Sequence, residues 1–224
     1  MAICFNPESK QFFLHTDHTS YVMEIYEGRL AHSYWGSRIH TLPCLDALYS
    51  FSFGADFSAT DIPGRRFNST DKLPQEYPTY GTADMRSPAL QVANSAGDCV
   101  TSLRYEGHRI FSGKPELSGL PATYGQDCET LEITLRDSLT GITAIMNYTV
   151  FPAKDVLTRS VRIENRGNTG CCLEKAASVC MDLHQDGFEI IALHGAWARE
   201  RHIQSRKLGL GRQGVSSERG ESSH

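Results

Sequence analysis

The sequence predicts an all-β protein built from two packed, mainly antiparallel sheets. Three observations carry that expectation. Apolar and polar residues alternate with period two along much of the chain, and turn-forming residues interrupt the alternation. The interruptions recur at roughly 8–12-residue spacing, the rhythm of short sandwich strands. No window from 99 to 205 shows a capped helical stripe of apolar residues.

Taken in order, Gln11 to Leu14, Tyr21 to Tyr26 and Leu30 to Trp35 read as strands, joined at Asp17-His18-Thr19 and Glu27-Gly28. The rhythm then fails from 42 to 88, where four prolines follow Pro43 and clean alternation is scarce. So long an irregular stretch in a compact domain is functional or disordered. Phe51, Phe53, Phe57, Phe67, Tyr77 and Tyr80 are too many aromatics for disorder, so an ordered aromatic loop that packs against another surface is expected. Leu131, Ile133 and Leu135 alternate with Glu132, Thr134 and Arg136, a strand with one wet face. Leu139-Thr140-Gly141 turns the chain, and Ala144, Met146, Tyr148 and Val150 begin another alternation. Thr158 to Glu164 repeats the pattern, Asn165-Arg166-Gly167-Asn168 closes it as a turn, and Cys172 to Ala176 opens a further strand.

Trp197-Ala198-Arg199-Glu200-Arg201-His202 reads as strand, with Trp197, Arg199 and Arg201 on one face and Glu200 and His202 on the other. Charge on a solvated edge strand discourages aggregation. A packing surface for another domain or subunit, where Trp and Arg are favoured, is the competing reading.

The 224 residues suit one large all-β domain or two small ones. A formal net charge of −4 argues against a nucleic-acid or anionic-membrane partner, since both demand a basic excess. No apolar run approaches the ~18 residues of a membrane span. The opening MAICFNPESK has neither the basic nor the apolar region of a secretory signal, so a cytoplasmic location is expected. The seven cysteines, at 4, 44, 99, 128, 171, 172 and 180, are odd in number and irregularly spaced. Most are expected to act as small buried hydrophobes, and without a CxxC no zinc site is expected.

Paired carboxylates can do acid/base work on a sugar, and Asp56 with Asp61, or Asp182 with Asp186, have workable spacings. Turn-forming aspartates at such spacings are also commonplace. His184, His194 and His202 near Asp182 match no metal motif. GxSxG, P-loop and GxGxxG sequences are absent. Read from its residues alone, the chain is a β-sandwich with an aromatic loop, a docking strand and no self-contained active site.

A resemblance adds to that reading. His32-Ser33-Tyr34-Trp35-Gly36 and Gln75-Glu76-Tyr77-Pro78-Thr79-Tyr80-Gly81-Thr82 are similar to the front of the α-galactosidases of glycoside hydrolase family 36. The similarity runs on through Gly107-His108-Arg109-Ile110, Gly113-Lys114-Pro115 and Gly119-Leu120-Pro121-Ala122-Thr123-Tyr124. Glu129 to Ile133, Gly195 to Arg201 and Arg219 to His224 complete it, the markers keeping their order over nearly the whole chain.

The resemblance implies that residues 1–206 form an N-terminal β-supersandwich and that 207–224 begin the connection to a (β/α)8 barrel. In that family the barrel carries two aspartates, a nucleophile and a general acid/base, and hydrolysis of terminal α-linked galactose is retaining. The stretch VSSERGESSH stops in mid-pattern, so the chain is expected to end before the barrel and to carry no catalytic residue. The resemblance further implies melibiose- or raffinose-type substrates, a homo-oligomer (a tetramer in bacterial members), and no metal or organic cofactor. It places Asp46 of Pro43-Cys44-Leu45-Asp46 in a loop whose carboxylate contacts galactose hydroxyls, with Asp56 as the alternative and Arg66 as a weaker loop anchor. A turn-capping role is the bland reading of Asp46. The rival functions are a free-standing carbohydrate-binding sandwich and a purely structural module that holds an oligomer together.

Overall fold

The computed structural model describes residues 2–48, 73–81, 86–119, 122–183 and 187–216. Their contacts divide the chain into two units, Met1–Asp182 and Leu183–His224. Nearly all of the regular structure is strand, as the alternation predicts.

In the first unit, β1 (Ile3–Asn6), β2 (Gln11–His15), β3 (Thr19–Tyr26) and β4 (Arg29–Ser37) form an antiparallel meander. β5 (Leu90–Asn94) precedes a second meander of β6 (Arg104–Ser112), β7 (Glu129–Arg136), β8 (Ile142–Phe151) and β9 (Val156–Asn165). β10 (Cys171–Ala176) returns to pair with β5 as a separate two-stranded ribbon. Within each meander sequential strands pair, the usual arrangement of strands adjacent in the chain. At the β3–β4 turn, Glu27 and Gly28 both have positive φ, 47° and 76°, the type I′ geometry whose twist matches the flanking strands.

One hydrophobic core joins the two meanders: Phe12, Leu14 and Met23 from the first cluster with Leu131, Ile133 and Met146 from the second. β7 follows the predicted alternation, with Leu131, Ile133 and Leu135 buried and Glu132, Thr134 and Arg136 half-buried. β8 is different. Nine of its ten residues are buried and only Asn147 is not, because β8 is paired on both edges by β7 and β9. β1 has too few residues to show an alternation of its own. It is held by pairing with β2 and by Glu129 Oε2, which accepts the Ala2 and Ile3 N–H groups at 2.6 and 2.9 Å.

The cysteine expectation is overturned. Only Cys128 is buried; Cys4, Cys44, Cys171 and Cys172 are exposed, and Cys99 and Cys180 are intermediate. All six residues of β10 are exposed, so neither of its two cysteines reaches the core whichever face it takes.

Of the 42–88 stretch, residues 49–72 and 82–85, including Phe51, Phe53, Phe57 and Phe67, lie outside the described residues. The described part is ordered by backbone bonds. Glu76 N–H donates to Leu30 O at 3.0 Å, and Pro74 O accepts from His32 N–H at 2.7 Å, so 74–76 runs along the open edge of β4. Thr79 bridges to Leu90, carrying the segment from the first sheet to the β5–β10 ribbon.

This segment places Glu76, fully buried, among four donors. Oε1 accepts from the Tyr21 hydroxyl at 2.5 Å and lies 3.2 Å from His32 Nδ1. Oε2 accepts from the Tyr148 hydroxyl at 2.7 Å and from Arg159 Nη1 at 2.9 Å. Arg159 Nη2 also donates to Glu76 O at 2.8 Å, and its guanidinium lies 5.2 Å from the Tyr148 ring centre. Burial by itself would raise the Glu76 carboxyl, but the His32 bond and the Arg159 charge bring it below the usual range. Burial and the neighbouring carboxylate push Tyr21 and Tyr148 well above theirs, and burial takes Tyr77 up to about 12.

In the second unit, β11 (Glu189–Ala196) and β12 (Arg199–Lys207) form a hairpin. Here the structure corrects the face assignment. Trp197 and Ala198 make the turn, and Glu200 and Arg201 together oppose Gly195, so strict alternation is broken at a bulge. A Cβ on Gly195 would sit 2.6 Å from Arg199 O, which is why glycine stands there. Trp197 is 89% exposed, and Ile191, Leu193 and Ile203 are exposed beside it in sequence and register.

Glu76→Gln is expected to destabilise the first unit by about 3–5 kcal/mol, because it leaves Arg159 buried without its charge partner. Urea unfolding measures this directly, and a loss under about 1 kcal/mol would contradict the assignment. The pH dependence has two limbs. Glu76, depressed in the fold, stabilises fully at neutral pH, and its contribution is lost as pH falls below about 4.5. Tyr77, raised to about 12 in the fold, stabilises fully below about pH 10, and its contribution is lost as pH climbs towards 12.

Candidate functional site

Gln11, Glu24, Tyr26 and Ala31 belong to the face of the first sheet that alternation turns away from the main core. A small second cluster forms there from Tyr26, Ala31, Leu45 and Leu73. Leu45, fully buried, opens the one-turn helix α1 (Leu45–Leu48), so the helix is pinned to the sheet by its first side chain.

Glu24 does the polar half of the anchoring. Its Oε2 accepts the Leu45 N–H at 2.9 Å, a donor that the first turn of a helix cannot satisfy itself. Gln11 Nε2 donates to the same oxygen at 3.1 Å and lies 3.3 Å from Pro43 O. Burial raises the Glu24 carboxyl, opposed by the Leu45 and Gln11 bonds and reinforced by the Asp46 charge. Burial and the same two carboxylates raise the Cys44 thiol, which leaves it protonated and a poor nucleophile at neutral pH.

Asp46 follows directly. Its Oδ1 accepts the Tyr26 hydroxyl at 2.9 Å, and the residue is exposed. A carboxylate oriented by a tyrosine and presented to solvent on a tethered turn can accept hydroxyl hydrogen bonds from a ligand. Among the described residues its carboxylate neighbour is Glu24, already engaged by the Leu45 N–H and by Gln11, so binding rather than bond cleavage is the chemistry on offer.

The other sequence candidates do not converge. Asp56, Asp61, Arg66, His184 and Asp186 lie outside the described residues. Asp182 is engaged in an ion pair with Arg86. His194 and His202 face each other across β11 and β12, both exposed. Among the described residues no three His, Cys, Asp or Glu side chains gather as metal ligands would. Glu76 is surrounded by chemistry-bearing groups, but each of its oxygens already takes two partners, which suits a structural tie better than an acid or base. Neither Glu24 nor Glu76 shows a sequence signal, because each owes its role to partners distant along the chain.

Comparison with known proteins follows the same outline. Residues 28–224 match the glycosyl hydrolase family 36 N-terminal domain. The chain is 44% identical to the α-galactosidase AgaA of Geobacillus stearothermophilus, covering 100% of this chain and 31% of that protein. It is 35% identical to the α-galactosidase Mel36A of Lactobacillus acidophilus, covering 99% and 31%. The crystal structure of the α-galactosidase AgaB from G. stearothermophilus superposes with a TM-score of 0.91 at 44% identity, over 100% of this chain and 31% of that one. AgaA variants solved with raffinose and with stachyose superpose at 0.88 and 0.87, each over 96% of this chain and 30% of theirs. The chain thus spans about a third of the length of these relatives.

Glu24→Ala is expected to release α1, since a buried N–H without its acceptor costs about 1–3 kcal/mol. Hydrogen exchange at the Leu45 amide should accelerate by roughly tenfold or more. Unchanged protection there would show that Leu45 packing alone seats the turn.

Proposed function

This chain belongs to the glycosyl hydrolase family 36 N-terminal domains, and on that premise we propose that it works as the N-terminal β-supersandwich of an α-galactosidase. The observation that carries the reading is the match over 28–224 together with a superposition at 0.91 over the entire chain. The named relatives are α-galactosidases, and variants of one of them, AgaA, are solved with raffinose and with stachyose, so terminal α-linked galactose is the proposed substrate class.

In this reading, residues up to 206 support a catalytic barrel and 207–224 lead towards it. The barrel supplies both carboxylates of a retaining mechanism, and no residue of this chain is assigned to bond cleavage. Two features support a service role. The exposed Trp197, Ile191, Leu193 and Ile203 give the hairpin an apolar surface to bury against another domain or subunit. Asp46, on the turn tethered by Glu24, is suited to accept galactose hydroxyls at the rim of a pocket in an oligomer. Each hydrogen bond to a charged group is worth about 1.5–3 kcal/mol.

The purified 224-residue chain should release no p-nitrophenol from p-nitrophenyl α-galactoside; measurable turnover would overturn the reading. In an enzyme that continues into the barrel, Asp46→Asn should raise KM by roughly ten- to a hundredfold, with a smaller effect on kcat. An unchanged KM would remove Asp46 from the pocket. Galactose binding by the chain alone, abolished by Asp46→Ala, would favour the free-standing sugar-binding sandwich.

A further inference from the structure

The second sheet has its own solvent-side face, and it is not uniform. Towards the far end of β7–β9, charges pair: Arg136 and Arg166 with Glu106, and Arg162 and Arg166 with Glu164. Towards the β6–β7 loop, the same face carries the Arg109–Glu132 pair and, beside it, uncharged polar groups in register. Thr130, Thr149 and Thr158 stand opposite one another across β7, β8 and β9, and Asn147 stands opposite Ser160. The Thr130 and Thr149 hydroxyls share a hydrogen bond of 2.8 Å, and Thr130 donates to Gly113 O at 2.6 Å, tying the loop to the sheet.

Over this polar patch the loop leaves a cavity of about 160 Å³. Its floor is Asn147, Thr149, Thr158 and Ser160, and its walls include Lys114, Pro115 and Leu117. A water needs only about 10–15 Å³ of such space, so the cavity holds something larger than one. A wider cleft along the same loop shares Lys114, Pro115 and Leu117 and provides a mouth.

Three details bear on what fits. Asn147 is the one residue of β8 that the fold does not bury, and it lines the cavity. Its Oδ1 is shielded from solvent without a protein partner, so no hydrogen bond locks the amide, and either edge can turn to a ligand. Lys114 Nζ reaches Thr123 O at 3.1 Å and has further donors to offer.

We infer that this cavity on the outer face of β8 and β9 binds a small hydroxyl-rich molecule, a monosaccharide. An unpartnered amide oxygen needs a donor: a carboxylate carries none, the phosphate dianion only one, and a sugar one on every hydroxyl. The same hydroxyl can accept from Lys114 while Thr158 and Ser160 take either part. Pro115 and Leu117 supply the apolar wall that covers the C–H side of a sugar ring. This site shares no residue with the Asp46 turn and stands whether or not the pocket role of Asp46 holds.

The test is titration of the intact 224-residue chain with galactose, followed by the amide shifts of β8 and β9, on the parent, Thr158→Val, Ser160→Ala and Asp46→Ala. Thermal unfolding of each variant establishes that it remains folded. Saturable shifts centred on Asn147 and Ser160 are expected, weakened at least tenfold in both Thr158→Val and Ser160→Ala and retained in Asp46→Ala. Inorganic phosphate should not compete. The inference is overturned by unsaturable shifts, by competition from phosphate, or by binding that survives both cavity variants. Binding lost only in Asp46→Ala also overturns it, and would at the same time support the α1 turn as the sugar contact.

Discussion

Glu76 buries one negative charge between the two sheets of the first unit, and the surrounding architecture is arranged so that the charge is tolerated. Its partners come from four strands: Tyr21 from β3, His32 from β4, Tyr148 from β8 and Arg159 from β9. A carboxylate taken out of water is costly unless its lone pairs are all met. Here they are met by two hydroxyls, an imidazole nitrogen and a guanidinium, which obliges both sheets to keep one spacing and one register. A one-residue slip of β3 would turn Tyr21 away from the core and place Ser20 or Val22 where the hydroxyl must be.

That constraint reaches the rest of the unit through the backbone of residues 74–79. The segment bonds to the edge of β4 at one end and bridges to β5 at the other, so the β5–β10 ribbon is positioned by the same piece of chain that delivers the charge. Tyr77 extends the tie, donating to Ala177 O at 2.9 Å just beyond β10. An aperiodic stretch thus does what no strand here could, because it touches both sheets and the ribbon at once.

With the interior so committed, the outward faces are left to interact. The first sheet presents Asp46 on a turn held by Glu24 and Leu45. The second presents hydroxyl and amide side chains beside Lys114, Pro115 and Leu117. The hairpin of the second unit presents Trp197 at a turn made tight by Gly195. These three surfaces differ in chemistry, one a single carboxylate, one rich in hydroxyl and amide groups beside a lysine, one apolar, and each rests on strands whose other face is fixed or on a closely packed turn.

What the sequence by itself determined is the part of the protein that local periodicity can encode. Leu131, Ile133 and Leu135 announce β7 because a strand's side chains alternate wherever it lies, and Glu27-Gly28 announces its turn because few residues accept two positive φ values in a row. The family was legible too, from ordered markers such as Gly119 to Tyr124. Tertiary structure alone decided the rest. Glu76 is legible only as part of the aperiodic 42–88 stretch and of a family marker, since its partners lie 44 to 83 positions away and no local pattern can report them. The cysteines read as buried for their residue type, yet β10 is an exposed ribbon strand and Cys171 and Cys172 go with it. Trp197 reads as strand until the bulge opposite Gly195 shifts the register and moves it to the turn. Asp46 was singled out by resemblance, but its presentation depends on Glu24, a buried carboxylate whose purpose is visible only once α1 is laid across the sheet. Alternation is a property of neighbours in the chain; burial of a charge, the edge of a sheet and the anchoring of a turn are properties of neighbours in space.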